Sequence, residues 1–139
     1  MGVLRRLLET IIDVTHRLDE EVEKGFDLSR WGDQMKFLHA LQIQAQALID
    51  LVLRGSSVLG HPPSTPIDAA RHLLNTGVMS SEDLALFRRV LGFRNVVIHE
   101  YVSIDLGLVE RVLRSREYRR VLELAEKVFR ELAKRGCDP

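Results

Sequence analysis

The segment FRNVVIHEY, residues 93–101, combines side chains that handle phosphate with side chains that move protons. Arginine binds phosphate through a planar guanidinium and stabilises negative charge that develops on it. Histidine is the side chain best suited to proton transfer near neutral pH. Arg94 and His99 therefore suit cleavage of RNA by its own 2′-hydroxyl, in which His99 would help to move the proton and Arg94 would neutralise the transition state. Asn95 would orient the histidine or the phosphate, and no protein nucleophile is needed.

On an ideal helix, the polar residues of this segment form two separate lines. At about 100° per residue, Arg94 and Tyr101 fall in the middle of the apolar stripe, whereas Asn95 and His99 follow its edge. Arg94 and His99 are then about 140° apart, so one helix presents them poorly to a single phosphate. A two-fold homodimer would ease this difficulty, because both copies would line a shared cleft. We therefore expect a homodimer.

Arg94 has three interpretations, because an unpaired guanidinium is costly to bury. It extends to solvent, it pairs with an acid such as Asp50, or it binds a phosphate. Gln46 and Asp50 lie one turn apart on an earlier helix and so share one face of it. Arg88 continues the polar edge of the later helix. Asp50 and Arg88 are therefore supporting candidates for the site.

Hydrophobic periodicity predicts an all-α fold. The expected helices cover roughly residues 4–22, 31–54, 66–74, 81–101 and 116–134, with Asp105 capping a short further turn. Gly25 and Gly55 are the predicted stops of the first two helices, and Thr65 and Ser80 are predicted N-caps. The simplest architecture is an antiparallel bundle of four main helices plus one short helix. The chain length of 139 residues predicts one domain over residues 1–139.

Composition limits the classes of function. The chain has 20 basic and 20 acidic side chains, so its formal net charge is zero. This balance argues against a general nucleic-acid coat protein but allows a local basic pocket. The single cysteine, Cys137, and the absence of zinc-type Cys/His spacing predict a metal-free protein of the cytoplasm. The first helix carries charges on every turn, which argues against both a signal peptide and a membrane span.

The motif resembles a known family. Arg94, Asn95 and His99, in the order Arg-Asn-x3-His, look like the signature of the HEPN superfamily. The extension His-x-Tyr, which ends on Tyr101, and the following SIDLGLVERVL are similar to the HepT-like toxins. The resemblance spans most of the chain, from Trp31 to about Leu113.

The resemblance implies a HEPN-like, all-helical homodimer that acts as a metal-independent ribonuclease without a cofactor. Such a protein is the toxin of a type VII toxin–antitoxin pair. Its partner is a nucleotidyltransferase antitoxin of the MNT or MntA type, which would transfer AMP to Tyr101. The phosphate of that AMP would then occupy Arg94. Members of the family often carry a glutamate where this chain has Gln46, and that departure bears on catalytic activity.

Three functions fit these observations. The first is the ribonuclease toxin, with Arg94, Asn95 and His99 as catalytic residues. The second is a helical protein that binds a nucleotide, or docks a nucleotidyltransferase, without cutting RNA. The third is a structural helical bundle. RNA cleavage in the presence of a chelator separates the first function from the other two.

Overall fold

Six α-helices and one short 3-10 turn make up the described part of the chain. The structure is a computed structural model, and it describes residues 2–137. The helices are α1 (Val3–Lys24), α2 (Trp31–Val58), α3 (Pro66–Asn75), α4 (Ser81–His99), α5 (Leu106–Ser115) and α6 (Arg119–Lys134), and the 3-10 turn is Tyr101–Ser103. No strand occurs among residues 2–137, so the predicted all-α class is confirmed.

The number of short helices differs from the prediction. The structure has two ten-residue helices, α3 and α5, beside four longer ones. The short turn expected after Asp105 therefore continues through ten residues. The single domain over residues 1–139 stays a prediction, and both of its ends lie outside the described residues.

Side-chain caps start three of the helices, as their sequences predict. The Thr65 hydroxyl accepts a hydrogen bond from the Asp68 backbone N–H at 3.0 Å, at the start of α3. At the start of α4, Ser80 and Asp83 form a reciprocal capping box with bonds of 3.1 and 2.8 Å. The Asp105 carboxylate accepts from the backbone of α5. These bonds satisfy N–H groups that a helix leaves without an internal partner.

Gly55 does not end α2, contrary to the prediction. The helix continues to Val58, and Gly55 is buried inside it. A Cβ atom at Gly55 would lie 2.8 Å from the Leu132 side chain of α6. The glycine therefore lets α6 approach α2 closely instead of breaking the helix.

The last helix begins later than predicted. Arg116, the expected start, is the C-cap of α5 with a left-handed backbone (φ 60°). A non-glycine residue rarely adopts this conformation. The Arg116 guanidinium donates to Glu23 of α1 at 2.9 Å, which ties the α5–α6 link to α1. α6 then starts at Arg119.

α2 is the central helix, and its glutamines divide between core and surface. Gln44 is 2% exposed. Its amide donates to the Thr15 hydroxyl at 2.9 Å and to the Tyr118 carbonyl at 3.0 Å. These bonds satisfy a buried polar group that would otherwise be costly. Gln46 lies two residues further on, so it faces away from Gln44 and toward α4, where the site is found.

Candidate functional site

A chain of hydrogen bonds between α2 and α4 fixes Arg94. The Arg94 Nη1 donates to Gln46 Oε1 at 2.8 Å, and the Nε donates to Asn95 Oδ1 at 2.9 Å. Gln46 in turn donates through Nε2 to Asp50 Oδ1 at 2.9 Å. The four side chains Asp50, Gln46, Arg94 and Asn95 therefore form one connected network.

The network leaves the Arg94 guanidinium able to bind an anion. Both groups that accept from it are neutral amides, so no direct carboxylate contact offsets its charge. The predicted acid partner, Asp50, reaches Arg94 only through Gln46. A guanidinium has five N–H donors, and those of Nη2 bond to no acceptor among residues 2–137. Arg94 is half-buried, and it is oriented before any ligand arrives.

His99 is the last residue of α4, and its side chain is exposed. No hydrogen bond or ion pair holds its imidazole within the described part of the chain. Asn95, one turn earlier, is exposed on the same side of the helix and links that side to Arg94. The imidazole is thus free to turn toward a substrate bound at the end of α4.

Arg88, the supporting candidate, does not join the network. Its side chain is exposed in the first half of α4, about two turns before Asn95. It contacts neither Arg94 nor Asp50 through any hydrogen bond. The structure therefore leaves Arg88 as a surface cation beside the site.

Tyr101 does not share a helical face with Arg94, contrary to the prediction from the ideal helix. α4 ends at His99, and Tyr101 belongs to the following 3-10 turn. Its hydroxyl lies 3.8 Å from the Sδ atom of Met35, near the start of α2. Met35 and Gln46 are about three turns, roughly 16 Å, apart along the axis of α2. The Tyr101 hydroxyl and the Arg94 guanidinium therefore occupy opposite ends of one strip.

We call this surface the α2–α4 strip. It runs from Asp50, Gln46 and Arg94 at one end to Met35 and Tyr101 at the other. The apolar face of α4 predicted a buried stripe along the whole helix, but only Phe87 and Val90 of α4 are buried. Ile98 is 46% exposed, so the second half of α4 is not covered by the core.

Other candidate sites lie elsewhere. A cleft of about 210 Å³ between α2, α4, α5 and α6 is lined mainly by apolar side chains such as Leu41, Val90 and Val121, and by none of the predicted site residues. The residues that the structure describes contain no group of three or more His, Cys, Asp or Glu side chains able to hold a metal ion. Among the described helices, none is both long and apolar enough to span a membrane.

Sequence reasoning missed a pair of histidines at the junction of α2 and α3. The His61 and His72 rings stack with centroids 4.4 Å apart. His61 Nε2 lies 3.1 Å from an Asp68 carboxylate oxygen, and His72 Nδ1 lies 2.9 Å from the Ser56 hydroxyl. Desolvation, followed by the nearby His61, lowers the pKa of His72. The two histidines are eleven residues apart, one in the loop before α3 and the other within α3, and no helical spacing rule pairs them.

A family model described as "Ribonuclease HepT-like" matches residues 4–128. The chain belongs to the HepT-like family. The match covers nearly the whole chain and includes every residue of the α2–α4 strip. The resemblance inferred from the Arg-Asn-x3-His-x-Tyr motif is thereby confirmed. No curated protein matches the chain significantly in sequence.

Solved structures of toxin–antitoxin complexes share the fold of this HepT-like chain. A tri-AMPylated Shewanella oneidensis HEPN toxin in complex with MNT antitoxin is 18% identical, with a TM-score of 0.74, over 91% of this chain and 98% of that one. A toxin–antitoxin with AMP-PNP is 17% identical, with a TM-score of 0.72, over 91% and 98% of the two chains. A mutant MntA–HpeT toxin–antitoxin is 18% identical, with a TM-score of 0.71, over 88% and 96%. The HEPN-like helical fold is therefore confirmed.

Proposed function

We propose that this HepT-like chain is a metal-independent endoribonuclease, the toxin of a toxin–antitoxin pair in the cytoplasm. The observation that carries the proposal is the state of Arg94. Two neutral amides orient its guanidinium, which keeps free donors, and His99 at the end of the same helix has a free imidazole. A fixed cation and a mobile proton carrier are the two groups that phosphodiester cleavage needs when the nucleophile belongs to the substrate.

The proposed reaction is an internal transesterification of RNA. The 2′-oxygen attacks the adjacent phosphorus, and the bond from phosphorus to the 5′-oxygen breaks. The 2′-hydroxyl loses its proton and the leaving 5′-oxygen gains one, so the products are a 2′,3′-cyclic phosphate and a 5′-hydroxyl. His99 serves one of these proton transfers, and Arg94 binds the non-bridging oxygens as their negative charge grows. Asn95 holds Arg94 in place through its Oδ1 atom.

A homodimer belongs to this proposal. Arg94 faces Gln46 of α2, whereas His99 is exposed at the end of α4. Two strips facing each other across a two-fold axis would bring one copy's histidine to the other copy's arginine. A variant that is monomeric by light scattering and yet fully active would contradict this arrangement.

We also propose that a nucleotidyltransferase antitoxin of the MNT type modifies Tyr101. The Tyr101 oxygen attacks the α-phosphorus of ATP, pyrophosphate leaves, and the phenolic proton passes to solvent. Tyr101 is 44% exposed, and its hydroxyl has only a long contact to a weak sulfur acceptor. An accessible phenol without a strong hydrogen-bond partner is available to make this attack.

Cleavage of RNA in excess chelator tests the proposal. We expect the purified chain to release fragments that end in 2′,3′-cyclic phosphate, and we expect His99→Ala and Arg94→Ala to release none. His16→Ala is a matched control, because His16 is also an exposed histidine but lies on α1, outside the candidate site. Activity that survives in His99→Ala would contradict the assignment of the proton transfer.

The second candidate function is a helical protein that binds a nucleotide, or docks the nucleotidyltransferase, without cutting RNA. The observation that favours it is Gln46, an amide at the position where the family resemblance suggested an acid. An amide cannot take up the proton of a 2′-hydroxyl. Nucleotide binding to Arg94 without any RNA cleavage would support this candidate over the first.

A further inference from the structure

Two exposed aromatic side chains, Trp31 and Tyr101, lie at the Met35 end of the α2–α4 strip. The chain contains five Phe, two Tyr and one Trp residue, and all of them lie within the described residues. Only Trp31 and Tyr101 among these rings are exposed, at 74% and 44%. Tyr101 contacts Met35 at 3.8 Å. Trp31 precedes Met35 by one turn of α2, so the side chains of Trp31 and Met35 are neighbours on one face.

An exposed tryptophan beside a reactive phenol has a specific chemical use. The flat face of an indole stacks on nucleobases of any sequence, and such stacking contributes measurably to nucleotide binding. Trp31 is not needed for the core, because most of its surface is in contact with solvent. A nucleotide bonded through its phosphorus to the Tyr101 oxygen would have its phosphate beside Met35, and its ribose and base would extend from there.

The direction of the base follows from what lies on either side of Met35. Toward Arg94, the exposed apolar side chain of α4 is the aliphatic Ile98, and Arg94 itself is roughly 16 Å away along α2. The exposed ring of His39, one turn after Met35, lines the groove between α1 and α2 instead. In the other direction, the Trp31 ring lies about one turn away, within the length of a ribose and a purine. The aromatic partner is therefore on the Trp31 side.

We propose that Trp31 is a stacking platform for the purine base of the adenylyl group that Tyr101 carries. The inference rests on the proposed modification of Tyr101 and names the residue that holds its product. Stacking keeps the nucleotide flat against α2 and shields the new phosphodiester bond. It also favours a purine nucleotide over a pyrimidine one, because the larger ring covers more of the indole.

The fluorescence of Trp31 reports on this platform directly, because the chain has no other tryptophan. The protein is modified with the nucleotidyltransferase and ATP, purified away from it, and analysed by mass spectrometry for AMP on Tyr101. We expect modification to quench the emission of Trp31 and to reduce its quenching by acrylamide. Tyr101→Phe, treated in the same way, should show no change, and release of AMP by a phosphodiesterase should restore the original emission.

The rate of AMP release by the phosphodiesterase gives a second readout. We expect the modified Trp31→Ala protein to lose AMP about tenfold faster than the parent, which corresponds to roughly 1.4 kcal/mol and lies within the range of base stacking. Trp31→Phe keeps an aromatic face and should restore most of the protection, whereas Trp31→Leu keeps apolar area alone and should not. Trp31 is so exposed that these variants are expected to fold normally, which circular dichroism checks.

Three results would overturn the inference, and they differ from failure of the proposed modification. AMP on Tyr101 with unchanged Trp31 emission and equal release rates shows that no platform exists. Emission that responds to a non-cleavable RNA but not to AMP on Tyr101 assigns Trp31 to the RNA substrate. Weaker binding of Trp31→Ala to the nucleotidyltransferase, with AMP released from the modified variant at the parent's rate, assigns Trp31 to the antitoxin interface. If mass spectrometry finds no AMP on Tyr101, the proposed modification itself fails, and the platform fails with it.

Discussion

Replacement of Gln46 tests whether its network orients Arg94. Gln46→Leu keeps a similar volume but removes the bonds to Arg94 and Asp50, of 2.8 and 2.9 Å. A hydrogen bond to a charged group contributes about 1.5–3 kcal/mol when well buried. Both partners are only half-buried, so water replaces part of each bond. We therefore expect a loss of roughly 1–2 kcal/mol in the free energy of unfolding, which lowers Tm by roughly 3–7 °C.

Gln46→Glu separates the orientation of Arg94 from its charge. The new carboxylate would still accept from Arg94, but it would offset the positive charge and lie one turn from Asp50. We expect weaker RNA binding, and a salt dependence that falls by about 0.7 in the slope of log K against log salt, because one phosphate contact is lost. Urea unfolding measures the stability of both variants, and fluorescence anisotropy of a labelled RNA across a salt series measures binding.

Gln42→Leu is the matched control for both measurements. Gln42 is half-buried one turn earlier on α2, and its side chain forms no hydrogen bond within the described residues. The Gln42→Leu variant should leave the free energy of unfolding, and the slope of log K against log salt, close to the values of the parent. If Gln46→Leu also behaves like the parent in both assays, the network does not orient Arg94 and the reasoning is refuted.

Three further predictions concern packing, pH and capping. Gly55→Ala should destabilise relative to Gly92→Ala by at least about 1 kcal/mol, because its Cβ would lie 2.8 Å from Leu132, whereas Gly92 has no atom within 4 Å. Thermal unfolding of both variants measures this difference. The lowered pKa of His72 means that the unfolded chain binds more protons below about pH 6.5, so stability is full above that pH and falls below it. Unfolding in urea between pH 5 and 8 measures the effect. Ser80→Ala should cost about 1 kcal/mol through loss of the capping box, measured by urea unfolding.

Each of these predictions has a control. For the pH effect, His72→Gln should flatten the dependence between pH 5 and 7, and an unchanged slope would contradict the assignment to His72. For the cap, Ser81→Ala should change stability little, because the capping bonds are made by Ser80. Equal stabilities of the two serine variants would contradict the capping argument. Equal stabilities of Gly55→Ala and Gly92→Ala would show that Leu132 of α6 moves away from the new methyl group without loss of stability.

Local features of the fold could be predicted, whereas close approaches between distant residues could not. The caps at Thr65, Ser80 and Asp105 depend on residues three positions apart, so the sequence contains all the information they need. Gly55 is predicted to end α2 because glycine is common just after the last residue of a helix. Only its distance to Leu132, far away in the sequence, shows that it accommodates a neighbouring helix instead.

The site divides in the same way. The residue types and spacing of Arg94, Asn95 and His99 indicated phosphate chemistry, and the family match agrees with the motif. The pairing of Arg94 with Gln46 joins residues 48 positions apart, and no helical period encodes it. An ideal helix misplaces Tyr101, because α4 stops at His99 and the chain then turns toward Met35.

The separation of Arg94 from Tyr101 changes how the proposed modification would inhibit the proposed ribonuclease. An ideal helix predicts that the phosphate on Tyr101 occupies Arg94. In the structure, the Tyr101 hydroxyl lies at Met35, roughly 16 Å along α2 from the Gln46 end of the strip. The phosphate bonded to the Tyr101 oxygen would therefore lie beside Met35 and away from Gln46. Under the proposed function, inhibition therefore comes from blocking the path of RNA along the strip, while the Arg94 guanidinium itself stays free to bind a small anion.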